Sequence, residues 1–160
     1  MIIKQLRDED FTNYRLPSMV VGFPSCTFKC EKECGCKGMC QNSELARSQS
    51  FDIAPEEIVD RYISNPITKA IVFGGLEPFD SETQMLELMF KFREKCKDTI
   101  IIYTGYYKEE ISEYIYKSIC RYIPNVIIKW GRYIPGQTPH YDSVLGVNLA
   151  SNNQYAERIS

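Results

Sequence analysis

The sequence predicts an α/β domain built on a mostly parallel sheet with flanking helices, the sheet open or only partly closed. Three observations carry this. Short β-branched apolar runs alternate with helical patterns in the order β, α, β, α, β, α, β, which right-handed crossovers resolve into a parallel sheet. The chain has 160 residues, well short of the roughly 250 of a complete (β/α)8 barrel. No repeat, low-complexity tract or Pro/Gly/Ser-rich linker divides it, so residues 1–160 read as one domain.

The first strand is expected at Ser18–Phe23, a buried β-branched run bounded by Pro17 and Pro24. A short helix follows over Pro55–Ile63. Pro55 suits the first helical position, Glu56 and Glu57 complement the positive end of the dipole, and Ile58, Val59, Tyr62 and Ile63 share one face. Lys69–Phe73 reads as the second strand. Asp80 or Ser81 caps the next helix, Glu82–Lys95, whose Met85, Leu88, Met89 and Phe92 recur at helical spacing and are expected in the core. Thr99–Tyr103 is the third strand. A helix over Lys108–Tyr122 turns Ile111, Ile115, Ile119 and Tyr122 inward, Asn125–Trp130 is the fourth strand, and Leu145–Leu149 a fifth. The polar start, Met1–Asp10, is assigned no element.

In open parallel sheets, ligands bind beyond the carboxyl ends of the strands. The segments at those ends are a cysteine-rich loop spanning residues 24–42, Gly74-Gly75-Leu76-Glu77-Pro78, Thr104-Gly105-Tyr106 and Gly131-Arg132-Tyr133. All four are expected to line one pocket.

A formal net charge of −2 and a pI near 5.5 provide no basic field for nucleic acid. No apolar run approaches the roughly 18 residues of a spanning helix, and the polar start does not read as a signal peptide. The expectation is a cytoplasmic protein. Against that background, seven cysteines are unusual, and five of them, Cys26, Cys30, Cys34, Cys36 and Cys40, lie within fifteen residues. In a reducing compartment such a group points to metal or redox chemistry before structural disulfides. Three residues, three, one and three separate successive cysteines, so no CxxC knuckle of the usual structural zinc kind occurs. The spacing ranks iron–sulfur ligation first, zinc second and thiol redox chemistry third.

Cys26-Thr27-Phe28-Lys29-Cys30 resembles the opening of the cluster motif of radical S-adenosylmethionine enzymes. Cys40-Gln41-Asn42 resembles the C-x-N segment of activating enzymes of anaerobic (class III) ribonucleotide reductase. Gly74-Gly75-Leu76-Glu77-Pro78, with Leu76 inserted, is similar to that family's glycine-rich loop, and Thr104-Gly105-Tyr106 and Ala150-Ser151-Asn152-Asn153-Gln154 resemble further segments. The likeness runs from about Pro17 to the end.

This resemblance implies an open or partial (β/α) barrel of the radical S-adenosylmethionine type. It implies a [4Fe–4S] cluster on Cys26, Cys30 and Cys40, with Cys34 and Cys36 as alternative third ligands, and S-adenosylmethionine at the iron without a protein ligand. Phe28, Gly74, Gly75, Glu77, Thr104 and Gly105 are the implied cofactor-binding residues. The implied reaction is reductive cleavage of S-adenosylmethionine to place a glycyl radical on a partner reductase, with a flavodoxin- or ferredoxin-type electron donor. Two alternatives stay open: a small radical enzyme acting on another protein or peptide, and a noncatalytic iron–sulfur or zinc module.

Gly74 and Gly75 suit a close backbone approach. Glu77 is either an acceptor for the cofactor's amine or ribose or a solvated loop carboxylate. Neither GxGxxG nor GxxxxGK[ST] occurs. His140, the only histidine, is expected at the surface, Cys96 and Cys120 as packed thiols, and Ser151, Asn153 and Gln154 in a hydrogen-bonded turn.

Overall fold

A computed structural model describes all 160 residues. In chain order the elements are β1 (Ile2–Ile3), β2 (Gln5–Asp10), β3 (Ser18–Phe23), α1 (Lys29–Cys34), α2 (Ser43–Arg47), β4 (Phe51–Asp52), α3 (Pro55–Ser64) and β5 (Ala70–Gly75). There follow α4 (Glu82–Lys95), β6 (Thr99–Tyr103), α5 (Glu113–Tyr122), β7 (Val126–Trp130), β8 (His140–Asp142), β9 (Val147–Leu149) and β10 (Tyr155–Arg158). Tight 3-10 turns occupy Pro78–Ser81 and Lys108–Glu110.

Six strands form one mixed sheet in the order β10-β7-β6-β5-β3-β2. The four central strands pair in parallel. Both edges are antiparallel, β2 on β3 and β10 on β7. Parallel strands buried on both faces read as continuous apolar runs, and this is why Ser18–Phe23 and Val126–Trp130 are buried throughout. The edges carry Gln-Leu-Arg-Asp-Glu-Asp and Tyr-Ala-Glu-Arg, charged patterns that suit a partly solvated edge.

One face packs against α3, α4 and α5. Its apolar cluster includes Val21, Phe73, Ile102 and Ile128 from the sheet and Ile58, Tyr62, Met85, Leu88, Met89 and Phe92 from the helices. Tyr62 meets Phe92 edge-on with centroids 4.8 Å apart, a favoured aromatic arrangement. The opposite face is thinner, with Val20, Val72, Ile101 and Ile127 covered by Tyr14, Leu145 and Leu149. That cover does not reach the carboxyl ends of the strands, which leaves the space described below.

Three sequence expectations change. Leu145–Leu149 does not join the main sheet, because β9 pairs only with β8 in a separate hairpin that lies over the second face. The Lys108–Tyr122 segment is broken after Glu110, where Ile111 takes an extended backbone, so only Glu113–Tyr122 is α-helix. Ser81 precedes α4 without a side-chain cap, and the Asp80 carboxylate reaches the cysteine loop instead. Cys96 sits just past the end of α4, and Cys120 lies within α5.

Candidate metal centre and cavity

At the end of β3 the chain runs through Pro24 and Ser25 to Cys26. Phe28 then takes a left-handed backbone, φ 52°, which turns the chain into α1 and sets Cys30 in its first turn. Cys40 is ten residues further on, yet Glu31 brings it back. The Glu31 carboxylate accepts hydrogen bonds from the Cys40 amide at 3.1 Å and the Ser43 hydroxyl at 3.4 Å. The Gly38 amide, and after it the Cys40 amide and the Ser43 hydroxyl, hold the Glu31 carboxyl below the usual carboxylate range.

Cys26, Cys30 and Cys40 all line one cavity of about 430 Å³. Cys34 and Cys36 do not. Cys34 Sγ contacts Met39 Sδ at 3.8 Å, and the Cys36 thiol donates to the Cys34 carbonyl at 3.2 Å, so this pair is occupied with its own loop. Two of the cavity thiols accept amides two residues ahead: Phe28 N–H to Cys26 at 3.2 Å and Asn42 N–H to Cys40 at 3.4 Å. Amide donors of this kind stabilise charge on a metal-bound thiolate.

Burial pushes the Cys26 thiol up to about 12, with Glu77, Asp80 and Cys40 adding in the same direction. Burial and then Cys40 push Cys30 up to about 11. Buried thiols crowding one another ionise only with positive charge among them, and metal supplies that. No three His, Cys, Asp or Glu side chains converge as a single-ion cage, whereas a tetrahedral zinc site needs four donors about 2–2.3 Å from one point. Three thiols lining one cavity can supply three ligands of a multi-iron cluster and leave one position free of protein ligands.

The remaining walls come from the other strand ends. Gly74, Gly75, Leu76 and Glu77 after β5, Thr104 to Tyr106 after β6 and Gly131 to Tyr133 after β7 all reach the cavity. Gly75 has φ 73°, and a Cβ there would stand 2.7 Å from Leu45 Cδ2 and 2.8 Å from Gly22 Cα. Its close approach is thus to α2 and β3. Gly74 has only Tyr103 Cβ nearby, at 3.4 Å. Phe28 is half-buried and does not line the cavity, because the left-handed turn places its neighbours Thr27 and Lys29 there instead.

Glu77 is 6% exposed, so it is no solvated carboxylate. Its Oε1 accepts from the Thr104 hydroxyl at 2.7 Å and the Phe79 amide at 3.2 Å, and its Oε2 from the Gly105 amide at 2.8 Å. It therefore braces the second loop against the third. Burial pushes its pKa up to about 7 against the lowering effect of these donors.

Several residues beyond the sequence-derived set complete the site. Asp80 accepts the Thr27 amide at 2.6 Å and the Tyr106 hydroxyl, tying the cysteine loop to the segments that follow β5 and β6. Arg132, 2% exposed, donates to both oxygens of Glu110 at 2.6 and 2.8 Å and to the Gly105 carbonyl at 3.1 Å. Its Nε also lies 3.0 Å from Glu33 of α1. Lys29 pairs with Glu110 at 3.2 Å and lies 4.0 Å from the Tyr106 ring centre. Lys129 is a buried cavity-lining lysine; its sequence signal is a cation interrupting an apolar strand.

At the carboxyl terminus, Gln154 Oε1 accepts from the Ala150 and Ser151 amides, its Nε2 donates to the Gly131 carbonyl, and Asn153 Nδ2 donates to the Arg132 carbonyl. These residues form the expected hydrogen-bonded turn and fix the loop after β7. His140 Nδ1 is buried without a partner, so that ring is not fully at the surface.

No helix is long and apolar enough to cross a membrane. Searches of curated proteins and of solved structures found no match. Residues 19–152, from β3 to the terminal turn, match the 4Fe-4S single cluster domain family, and they include every thiol and all four strand-end segments around the cavity. The thiol chemistry and the extent of this match lead to one conclusion: the chain belongs to the 4Fe-4S single cluster domain family.

Proposed function

We propose that the protein is a radical S-adenosylmethionine activase that places a glycyl radical on an anaerobic ribonucleoside-triphosphate reductase. The observation that carries this is the presence of Cys26, Cys30 and Cys40, without Cys34 and Cys36, in the lining of one cavity of about 430 Å³. Catalytic metal sites keep a position without a protein ligand, and structural ones close it. The cavity volume lies in the range that takes a ligand the size of S-adenosylmethionine. In this reading the central strands form the partial barrel wall of the radical S-adenosylmethionine fold.

The three thiolates would hold a [4Fe–4S] cluster. The chemistry such a cluster supplies is one-electron cleavage of the sulfonium, with a glycine Cα–H of the target reductase as hydrogen source. The chain's own residues position and shelter. Asp80, Tyr106 and Thr27 fix the cysteine loop at the carboxyl ends of β5 and β6, and Arg132 and Glu110 pair with Glu33 and Lys29 of α1. Glu77 holds the Gly74 and Thr104 loops at a fixed separation. A partner reductase covering the open side would exclude water from the reacting atoms, with a flavodoxin- or ferredoxin-type protein as the electron donor.

The test is anaerobic reconstitution with iron and sulfide, chemical reduction and incubation with S-adenosylmethionine. Equal amounts of methionine and 5′-deoxyadenosine are expected, followed by a glycyl radical signal in a candidate reductase. A full cluster with no cleavage would leave a noncatalytic iron–sulfur module, and cleavage with no radical on any reductase would point to another protein substrate.

A further inference from the structure

Cys34 and Cys36 lie outside the cavity, and the proposed function makes no use of them. Cys34 ends α1, and Cys36 follows its left-handed cap, Gly35. Gly35 and Gly38 both have positive φ, 65° and 80°, which a glycine adopts freely, and the segment Cys34-Gly35-Cys36-Lys37-Gly38-Met39 folds back on itself. Three sulfur atoms meet as a result. Cys34 Sγ lies 3.8 Å from Met39 Sδ, and the Cys36 thiol is close enough to Cys34 to be pushed up by it.

Cys36 is exposed, and Cys34 and Met39 are half-buried, so an ion reaches these sulfurs from solvent without passing through the cavity. No histidine or carboxylate joins the two thiols in a three-ligand group. The donor set is therefore two thiols and a thioether, and soft donors of this kind select soft metals. Zinc calls for four donors in a structural site, and iron–sulfur clusters are held by thiolates rather than a thioether. A monovalent soft ion accepts three sulfur ligands. Metal–sulfur bonds of roughly 2.3 Å set about 120° apart place two sulfurs about 4.0 Å from each other, close to the 3.8 Å between Cys34 and Met39.

We propose that Cys34, Cys36 and Met39 form a second metal site, which binds one Cu(I) ion through three sulfurs. The proposal rests on Cys26, Cys30 and Cys40 holding the cluster and is independent of what the cavity binds. Thiolates that suit an iron–sulfur cluster also suit Cu(I). A more exposed soft site in the same loop takes that ion before it reaches the cluster ligands.

The test is an anaerobic titration of the fully reduced, cluster-loaded protein with one equivalent of Cu(I) against a chromophoric Cu(I) chelator, with iron counted before and after. The parent is expected to bind one Cu(I) per chain and keep its iron, with only sulfur neighbours at about 2.3 Å in copper-edge X-ray absorption. Cys34→Ser and Cys36→Ser should each weaken Cu(I) tenfold or more, at least the effect of losing an outer-shell partner, and should lose iron when copper is added. Met39→Leu, which keeps both thiols and the volume of the loop, should weaken Cu(I) by a smaller factor. Zinc offered to the parent at the same concentration should not be retained. Iron loss from the parent on copper addition, parent-like Cu(I) affinity in the serine variants or in Met39→Leu, or zinc held more tightly than Cu(I) would overturn the site while leaving the function reading intact. Serine variants that fail to load the cluster at all would place its third ligand in this loop, and would overturn both the cluster assignment and the copper site.

Discussion

Glu77 and Cys40 show how far single residues can be read. The position of Glu77 in a glycine-bearing loop marks it as part of the site, whereas its role as a brace depends on Thr104 and Gly105, twenty-seven and twenty-eight residues away. Burial has a measurable consequence. The folded protein holds the Glu77 proton up to about pH 7, against an ordinary value of 4.5. The stability this contributes is complete below 4.5 and lost as pH rises through 7, about 3 kcal/mol in all. Melting midpoints measured from pH 4.5 to 8 should fall more steeply for the parent than for Glu77→Gln; parallel curves would refute the assignment. For the ligands, Cys40→Ala should lose the cluster on reconstitution, while Cys34→Ala and Cys36→Ala keep their iron and sulfide. The reverse pattern, read by metal analysis and visible absorption, would move the third ligand into the inner loop. Lys129 is visible in the sequence as a cation in an apolar strand, but the burial that lowers its pKa is a property of the fold alone.

At the level of elements, apolar runs and helical spacing mark the buried strands and the helices α3 and α4 closely. β3, α4 and β6 fall on their expected residues, because two-sided burial forces a local pattern that needs no knowledge of neighbours. The edge strands escape for the opposite reason. β2 and β10 are charged, and only their partners β3 and β7 make them strands. β9 carries the right residues for a strand and still pairs elsewhere. The close approach of α2 and the end of β5 to β3 is equally non-local, and it makes Gly75 sensitive. Gly75→Ala combines a strained left-handed backbone with contacts near 2.7 Å to Leu45 and Gly22. It should cost about 2–4 kcal/mol in denaturant unfolding. Gly74→Ala, free of both problems, should stay within about 1 kcal/mol of the parent. Equal losses at the two positions would show that the close packing of α2 on β3 is not what constrains this loop.

Across the whole molecule, the two faces of the sheet divide the labour. One is packed with large side chains from three helices, and the other is covered by a small hairpin and one tyrosine-bearing loop. The convergence of four strand-end segments follows from strand order and parallel direction, which is why alternation in the sequence foretells it. The identity of the cavity's charged partners does not follow, because they come from α1, β2 and the turn ahead of α5. The arrangement also has a time axis. All three cavity thiols lie within the first forty residues, and the segment that closes over them, from Gly131 to Gln154, lies within the last thirty. The 114 residues from Gln41 to Gln154 take roughly 6–23 s to add at ordinary rates of synthesis. During that interval the nascent chain presents a loop of reactive sulfur to iron donors and oxidants alike, before any fold exists to shelter it.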